Sequence, residues 1–316
     1  MTATEHATPG ALTAASLTDV TVTYGDRTAL AGCSLTIPRG GVFGLLGVNG
    51  AGKTMILRLL LGLIAPDRGA VRVLGMDPAR AGDAVRARAG VLLEHHGLYE
   101  RLDAYENLRF AAGLCGLPTA RFAARTRELL GAFQLWDRRG ERVGTWSRGM
   151  KVRLAIVRAL LHSPELLVLD EPTAGLDPVA AQTLRAELGA ILAAAGCTVL
   201  LTTHNLAEAE RLCTHVGILH EGRIIAQDAT ADLVARASSA TQIVLRGASA
   251  TLAELLMRRP DVFNVRLRDG VLELTAASEA ATAAVLDQAR LAGADVARLG
   301  QAESSLESAF LRLLVP

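Results

Sequence analysis

The chain has 316 residues, 50% hydrophobic and 21% charged, a composition that excludes a largely disordered protein and leaves room for about two domains. Its 33 Lys and Arg against 32 Asp and Glu give a net charge of +1, without the broad basic surplus of a dedicated nucleic-acid binder. Cys33, Cys115, Cys197 and Cys213 stand apart with no CxxC pair, which suggests neither a zinc knuckle nor a disulfide framework and fits a reducing cytosol.

Residues 1–16 have no basic start and no apolar run, and are expected to form a flexible tail and not a signal peptide. From Leu17, the runs LTDVTVTY and SLTI predict strands, the second closed by Pro38, Gly40 and Gly41. VFGLL predicts a strand that leads through a glycine-rich loop into the apolar helix MILRLLLGLI; PDRG and the strand VRVL follow. The middle third is helical. Asp103 and Glu106 form a capping-box pattern, Thr119 opens a second helix, and a third begins after Ser147, with Met150, Leu154, Val157 and Leu161 on one stripe. LLVLD and TVLLTT are unalternating apolar strands separated by a helix that Asp177 caps and Pro178 starts. Such strands indicate a parallel sheet covered on both faces, hence an α/β core. Leu188–Thr203, the longest uncharged stretch, is broken by Gly196 and Thr198 and is shorter than the roughly 20 apolar residues of a membrane span, so the polypeptide is expected not to cross a membrane by itself. VGILHEGRIIA predicts a hairpin around Glu221 and Gly222. A composition shift near 235 marks a domain edge. Beyond it the order β-α-β-β-α-β over 240–316 suggests a small α+β, ferredoxin-like domain, closed by the amphipathic helix SLESAFLRLL.

Gly47, Val48, Asn49, Gly50, Ala51, Gly52, Lys53 and Thr54 satisfy G-x-x-x-x-G-K-S/T between a predicted strand and a helix, the context this phosphate-binding loop requires. Backbone N–H groups and the helix N-terminus would cradle a polyphosphate, Lys53 would reach its β and γ phosphates, and Thr54 would ligate Mg2+. Small-molecule kinases, GTPases, motors and transport ATPases all share this loop. LLVLD then delivers Asp170 to the C-terminal end of a strand as a Mg2+ carboxylate. Glu171 beside it can hold or deprotonate an attacking water.

Trp146-Ser147-Arg148-Gly149-Met150-Lys151, opening the helix before that strand, resembles the L-S-G-G-Q signature of ATP-binding cassette (ABC) ATPases. Ala174-Gly175-Leu176-Asp177 resembles the family's D-loop, His204 its switch histidine, and Tyr24 the aromatic that stacks on adenine. The likeness runs from Leu17 to Asp228. It implies a P-loop NTPase fold with a mixed sheet core in an ABC domain over 17–235, a helical subdomain over about 95–160, and ATP with Mg2+ as ligands. By resemblance, Lys53 and the loop hold phosphates, Thr54, Asp170 and Glu94 hold Mg2+, Glu171 polarises water, and His204 contacts the γ-phosphate. Ser147 and Gly149 would act in trans in a head-to-tail homodimer, each signature completing the partner's site. Two departures from the family stand out, one at the Q-loop and one in the signature, where Trp146 also replaces Leu. Glu94 stands where the Q-loop has glutamine, which adds charge. Arg148-Gly149-Met150 replaces G-G-Q, and Arg148 could direct a charge toward phosphate.

The segment EHHGLYERLDAYENL, the signature variant and the C-terminal extension resemble the ATPase subunits of ABC-2 type exporters, including the daunorubicin-resistance-like group. That implies a separate transmembrane permease as partner, no nucleic acid, and a cytoplasmic position at the inner face of the membrane through the permease. The surface from Glu94 to Phe133 would receive a short permease helix. A soluble ABC ATPase acting on ribosomes or DNA, and an importer ATPase, are the alternatives.

Overall fold

A computed structural model describes residues 13–25, 27–237, 241–301 and 305–314. The chain divides after Gln227 into two compact units. The first runs β1 (Thr13–Tyr24), β2 (Arg27–Pro38), β3 (Val42–Leu46), α1 (Lys53–Leu60), β4 (Arg68–Val73), α2 (Gly82–Ala87) and β5 (Ala89–Leu92). Three helices follow, α3 (Ala104–Leu114), α4 (Thr119–Ala132) and α5 (Arg148–Leu160). The chain continues through β6 (Leu166–Asp170), α6 (Pro178–Ala195), β7 (Thr198–Thr203), α7 (Leu206–Leu212), β8 (His215–His220) and β9 (Arg223–Ala229), which crosses the division.

The large sheet has the order β5-β6-β7-β3-β8-β9, with β5, β6, β7, β3 and β8 parallel. Every residue of β3, β6 and β7 is buried, which is why these strands read as continuous apolar runs. A second, antiparallel sheet has the order β2-β1-β4. Ile56, Leu57, Leu59 and Leu60 of α1 share one core cluster with Val20 and Leu35 of the small sheet and Phe43 and Val168 of the large one. Leu57 is fully buried there, so truncation to Ala would cost about 2–5 kcal/mol. That core anchors the helix that carries the phosphate loop.

Local signals set the helix ends. Asp103 accepts from Glu106 N at 2.7 Å while Glu106 accepts from Asp103 N at 3.1 Å, a complete capping box on α3. Ser147 Oγ caps α5 and Asp177 Oδ1 caps α6, with Pro178 in its first turn. Leu154 and Val157 of the α5 stripe are fully buried. One boundary differs from expectation. β1 starts at Thr13, so residues 13–16 belong to the sheet, not to a tail: Ala15 pairs with Ile37 and Val73, and Ala14 and Ala15 are buried. The rest of the expected tail lies outside the described residues.

The second unit comprises α8 (Thr230–Ala237), β10 (Thr241–Arg246), α9 (Ala250–Met257), β11 (Val262–Arg268), β12 (Val271–Ala276), α10 (Glu279–Leu291), β13 (Asp295–Gln301) and α11 (Leu306–Leu314). Its four strands are antiparallel in the order β11-β12-β10-β13. Alternate residues Ile243, Leu245, Leu272 and Leu274 face a core completed by Leu252 and Leu256 of α9 and Val285 and Ala289 of α10. Asp269 and Gly270, both at positive φ (47° and 72°), form the tight turn between β11 and β12. The unit begins at Asp228, ahead of the composition shift near 235. α8 belongs with it because α8 packs against α11, a contact between opposite ends of the unit that local composition does not register.

Candidate functional site

β3 ends at Leu46 and the loop from Gly47 to Gly52 carries the chain into α1. Gly52 is the N-cap, at φ 112° and without a side-chain cap. A Cβ there would stand 2.9 Å from Leu30 Cδ2 and 3.0 Å from the Ala29 carbonyl, so both conformation and space require glycine. The first turn of α1 contains no acidic residue, which leaves its N–H groups and positive dipole end to an external anion. Lys53 is only 7% exposed. Its Nζ donates to the Gly47 carbonyl at 2.6 Å and lies 3.2 Å from Glu171 Oε1.

Asp170 ends β6, almost buried, and accepts a 2.5 Å hydrogen bond from Thr202 Oγ1 on the adjacent β7. Burial pushes its carboxyl above the ordinary range; the Thr202 bond opposes this, the Glu171 charge adds to it, Lys53 opposes it and Glu94 adds. Glu171 takes a left-handed backbone, φ 47°. Its N–H donates to the Thr202 carbonyl and hydroxyl, each at 3.1 Å. Its Oε2 lies 2.7 Å from His204 Nδ1, so one carboxylate is held between Lys53 and His204.

The loop that presents His204 is anchored from below. Thr203 Oγ1 donates to fully buried Glu208 at 2.7 Å and accepts from Asn205 N at 3.0 Å. Glu208 N in turn donates to Asn205 Oδ1 at 3.0 Å, and Arg185 Nε stands 3.7 Å from the Glu208 carboxylate.

Lys53, Asp170, Glu171 and His204 line a cleft of about 970 Å³ at the C-terminal ends of the parallel strands, the position where open α/β sheets take ligands. Of the residues anticipated from sequence, Tyr24, Val48, Asn49, Gly50, Ala51, Gly52, Lys53, Thr54, Glu94, Arg148, Asp170, Glu171 and His204 line it. Tyr24 is half exposed, free to offer its ring face. Gly47 contributes its carbonyl to Lys53. Ser147, Gly149 and Asp177 do not line their own chain's cleft. Arg27, His96, His220 and Glu221 line it without having been anticipated. Arg27 follows Tyr24 closely enough to have been suspected, whereas His220 and Glu221 arrive from the distant β8–β9 turn.

Thr54, Asp170 and Glu94 offer only hard oxygen donors, and two carboxylates with a hydroxyl suit Mg2+ completed by phosphate and water. Burial first, and then the charges of Glu171 and Glu94, raise the proton affinity of Asp170, and a divalent cation would offset the charge part. The residues therefore fit the ion.

Residues 30–174 match the ABC transporter domain family. The bacitracin transport ATP-binding protein BcrA of Bacillus licheniformis is 33% identical over 299 residues, 94% of this chain and 96% of that protein. The daunorubicin resistance ATP-binding protein DrrA3 of Streptomyces coeruleorubidus is 42% identical over 229 residues, 71% of each chain. A solved ATP-binding subunit of an ABC transporter superposes with TM-score 0.64 and 35% identity, covering 71% of this chain and 93% of that one. The chain belongs to the ATP-binding, ATP-hydrolysing subunits of ABC transporters.

Proposed function

We propose that this chain is the ATP-hydrolysing subunit of an ABC-2 type exporter, working as an ATP-bound homodimer on a separate transmembrane permease at the inner face of the membrane. The observation that carries the hydrolytic part is Glu171, fixed between Lys53 at 3.2 Å and His204 at 2.7 Å beside the phosphate loop. Lys53 and the loop amides bind the triphosphate. Thr54, Asp170 and Glu94 would hold Mg2+, which supplies charge neutralisation on the phosphates. Glu171 orients and deprotonates the attacking water, and His204 steadies the γ-phosphate.

Ser147 and Asp177, each spent on capping a helix at the surface outside the cleft, support completion of the site by a second copy. Similarity to a bacitracin transport ATP-binding protein over 94% of this chain, and to a daunorubicin resistance ATP-binding protein over 71% of it, supports export. Among the described residues no helix is long and apolar enough to cross a membrane, in keeping with a permease as partner. Tyr99, Phe110 and Leu114 are exposed, and the first two rings meet edge to face at 5.0 Å. They give the expected coupling surface an apolar centre. The 228–316 unit is read as a ferredoxin-like accessory domain.

Two measurements test this. Glu171→Gln is expected to bind ATP, lose hydrolysis and elute as a dimer with ATP; a monomer under those conditions refutes the shared site. Co-expression with an ABC-2 permease should yield a detergent-stable complex whose ATPase responds to the permease, and failure with every such permease encoded beside the gene would refute export.

A further inference from the structure

The proposed reaction leaves two arginines of the cleft, Arg27 and Arg148, without a task in their own chain. Arg148 opens α5 directly after Ser147, and its side chain lines the same cleft as Lys53, Asp170 and Glu171. Its neighbours Ser147 and Gly149 do not. The guanidinium rests on Gly175: a Cβ at that position would stand 2.6 Å from Cζ and Nη1 and 2.8 Å from Nη2. Gly175, at φ 68°, follows a turn in which Ala174 N donates to the Glu171 carbonyl at 3.0 Å. Arg148 is thereby held against the loop that follows Glu171 in the chain.

Among the described residues the guanidinium makes no hydrogen bond and no ion pair. Lys151 and Arg158 share α5 with it. Lys151 is paired with Glu100 at 2.7 Å, and Arg158 donates to the Gly97 carbonyl at 2.6 Å. Arg148 alone of the three lines the cleft. A planar guanidinium without a carboxylate partner, facing a polyphosphate cleft, is a bidentate phosphate ligand.

We propose that Arg148 binds the terminal phosphate of the nucleotide held by its own chain, so that a single subunit distinguishes ATP from ADP before a second copy closes over it. The idea rests on the reading that this cleft binds ATP, and it places Arg148 in cis although its helix start belongs to the segment expected to act in trans.

The test uses the full-length chain at nanomolar concentration, with sedimentation confirming monomers. Affinities for ADP and for the β,γ-imido analogue of ATP are measured by displacement of a fluorescent nucleotide. Arg148→Ala should lower the preference for the analogue over ADP about tenfold, with ADP affinity itself nearly unchanged. Arg148→Lys should retain part of the preference. Lys151→Ala should behave as wild type. An unchanged preference in Arg148→Ala, or an equal fall in Lys151→Ala, overturns the cis assignment while leaving ATP binding intact. Failure of the wild-type chain to bind either nucleotide would remove both readings together.

Discussion

Thr202 carries two functional residues on one hydroxyl, and Thr202→Val, which keeps the shape and removes the oxygen, isolates that role. Its Oγ1 donates to Asp170 Oδ1 at 2.5 Å and accepts from Glu171 N at 3.1 Å, in a site where Thr202 is fully buried. Glu171 N retains the Thr202 carbonyl, so the main loss is one hydrogen bond to a buried carboxylate. Such a bond contributes about 1.5–3 kcal/mol. For a unit of this size roughly 2 kcal/mol lowers Tm by about 4–8 °C. The pH dependence supplies a sharper check. Asp170 holds its proton more tightly folded than unfolded, so its ionisation removes stability as pH rises from the unfolded value of about 3.9 through the raised folded one. Losing the Thr202 bond raises the folded value further, so the variant's deficit should be small in acid and larger at pH 7. Calorimetry of both proteins across that range measures it. A variant melting with wild type at pH 7, or equally destabilised at both ends of the range, would refute the assignment.

Lys53→Ala removes the only loop side chain with a positive charge and should abolish ATP hydrolysis and weaken triphosphate binding, as read by calorimetric titration. Glu208→Ala should lower kcat with little change in nucleotide affinity, because it releases Thr203 and the presentation of His204; a change confined to KM would contradict that role. Gly175→Ala should cost about 1–2 kcal/mol from its left-handed backbone alone and displace Arg148, and Arg148→Ala in the same chain should recover part of the loss. Phe110→Asp should leave ATP binding intact yet reduce recovery of permease in pulldown from detergent.

The phosphate loop was legible because a polyphosphate needs contiguous N–H groups, and contiguity is what a sequence displays. The caps Ser147 and Asp177 were legible for the same reason, since each bonds a backbone N–H three residues on. Thr202 was not: its task depends on β7 lying beside β6, and as a strand residue it reads only as part of an apolar run. Residues 13–16 carry little strand propensity of their own, and only flanking by β2 and β4 makes Ala14 and Ala15 interior. Glu208 N donates to Asn205 Oδ1 at the start of α7, a local bond of the kind a sequence pattern displays. Its carboxylate, however, turns inward to Thr203, a choice fixed by burial and by Arg185 from another helix.

On the proposed reaction, the arrangement around Glu171 would link binding to chemistry through a shift of Lys53. Both oxygens of the carboxylate are engaged, Oε1 with Lys53 and Oε2 with His204. A triphosphate entering the loop draws the Lys53 ammonium toward its β and γ oxygens, because they carry more charge than the single carboxylate it faces. Oε1 then has no cation beside it and can accept a proton from water, while Oε2 stays oriented by His204. On that reading Glu171 would be freed as a base only when a phosphate is present to be attacked, while Asp170, held by Thr202, would stay fixed as Lys53 moves.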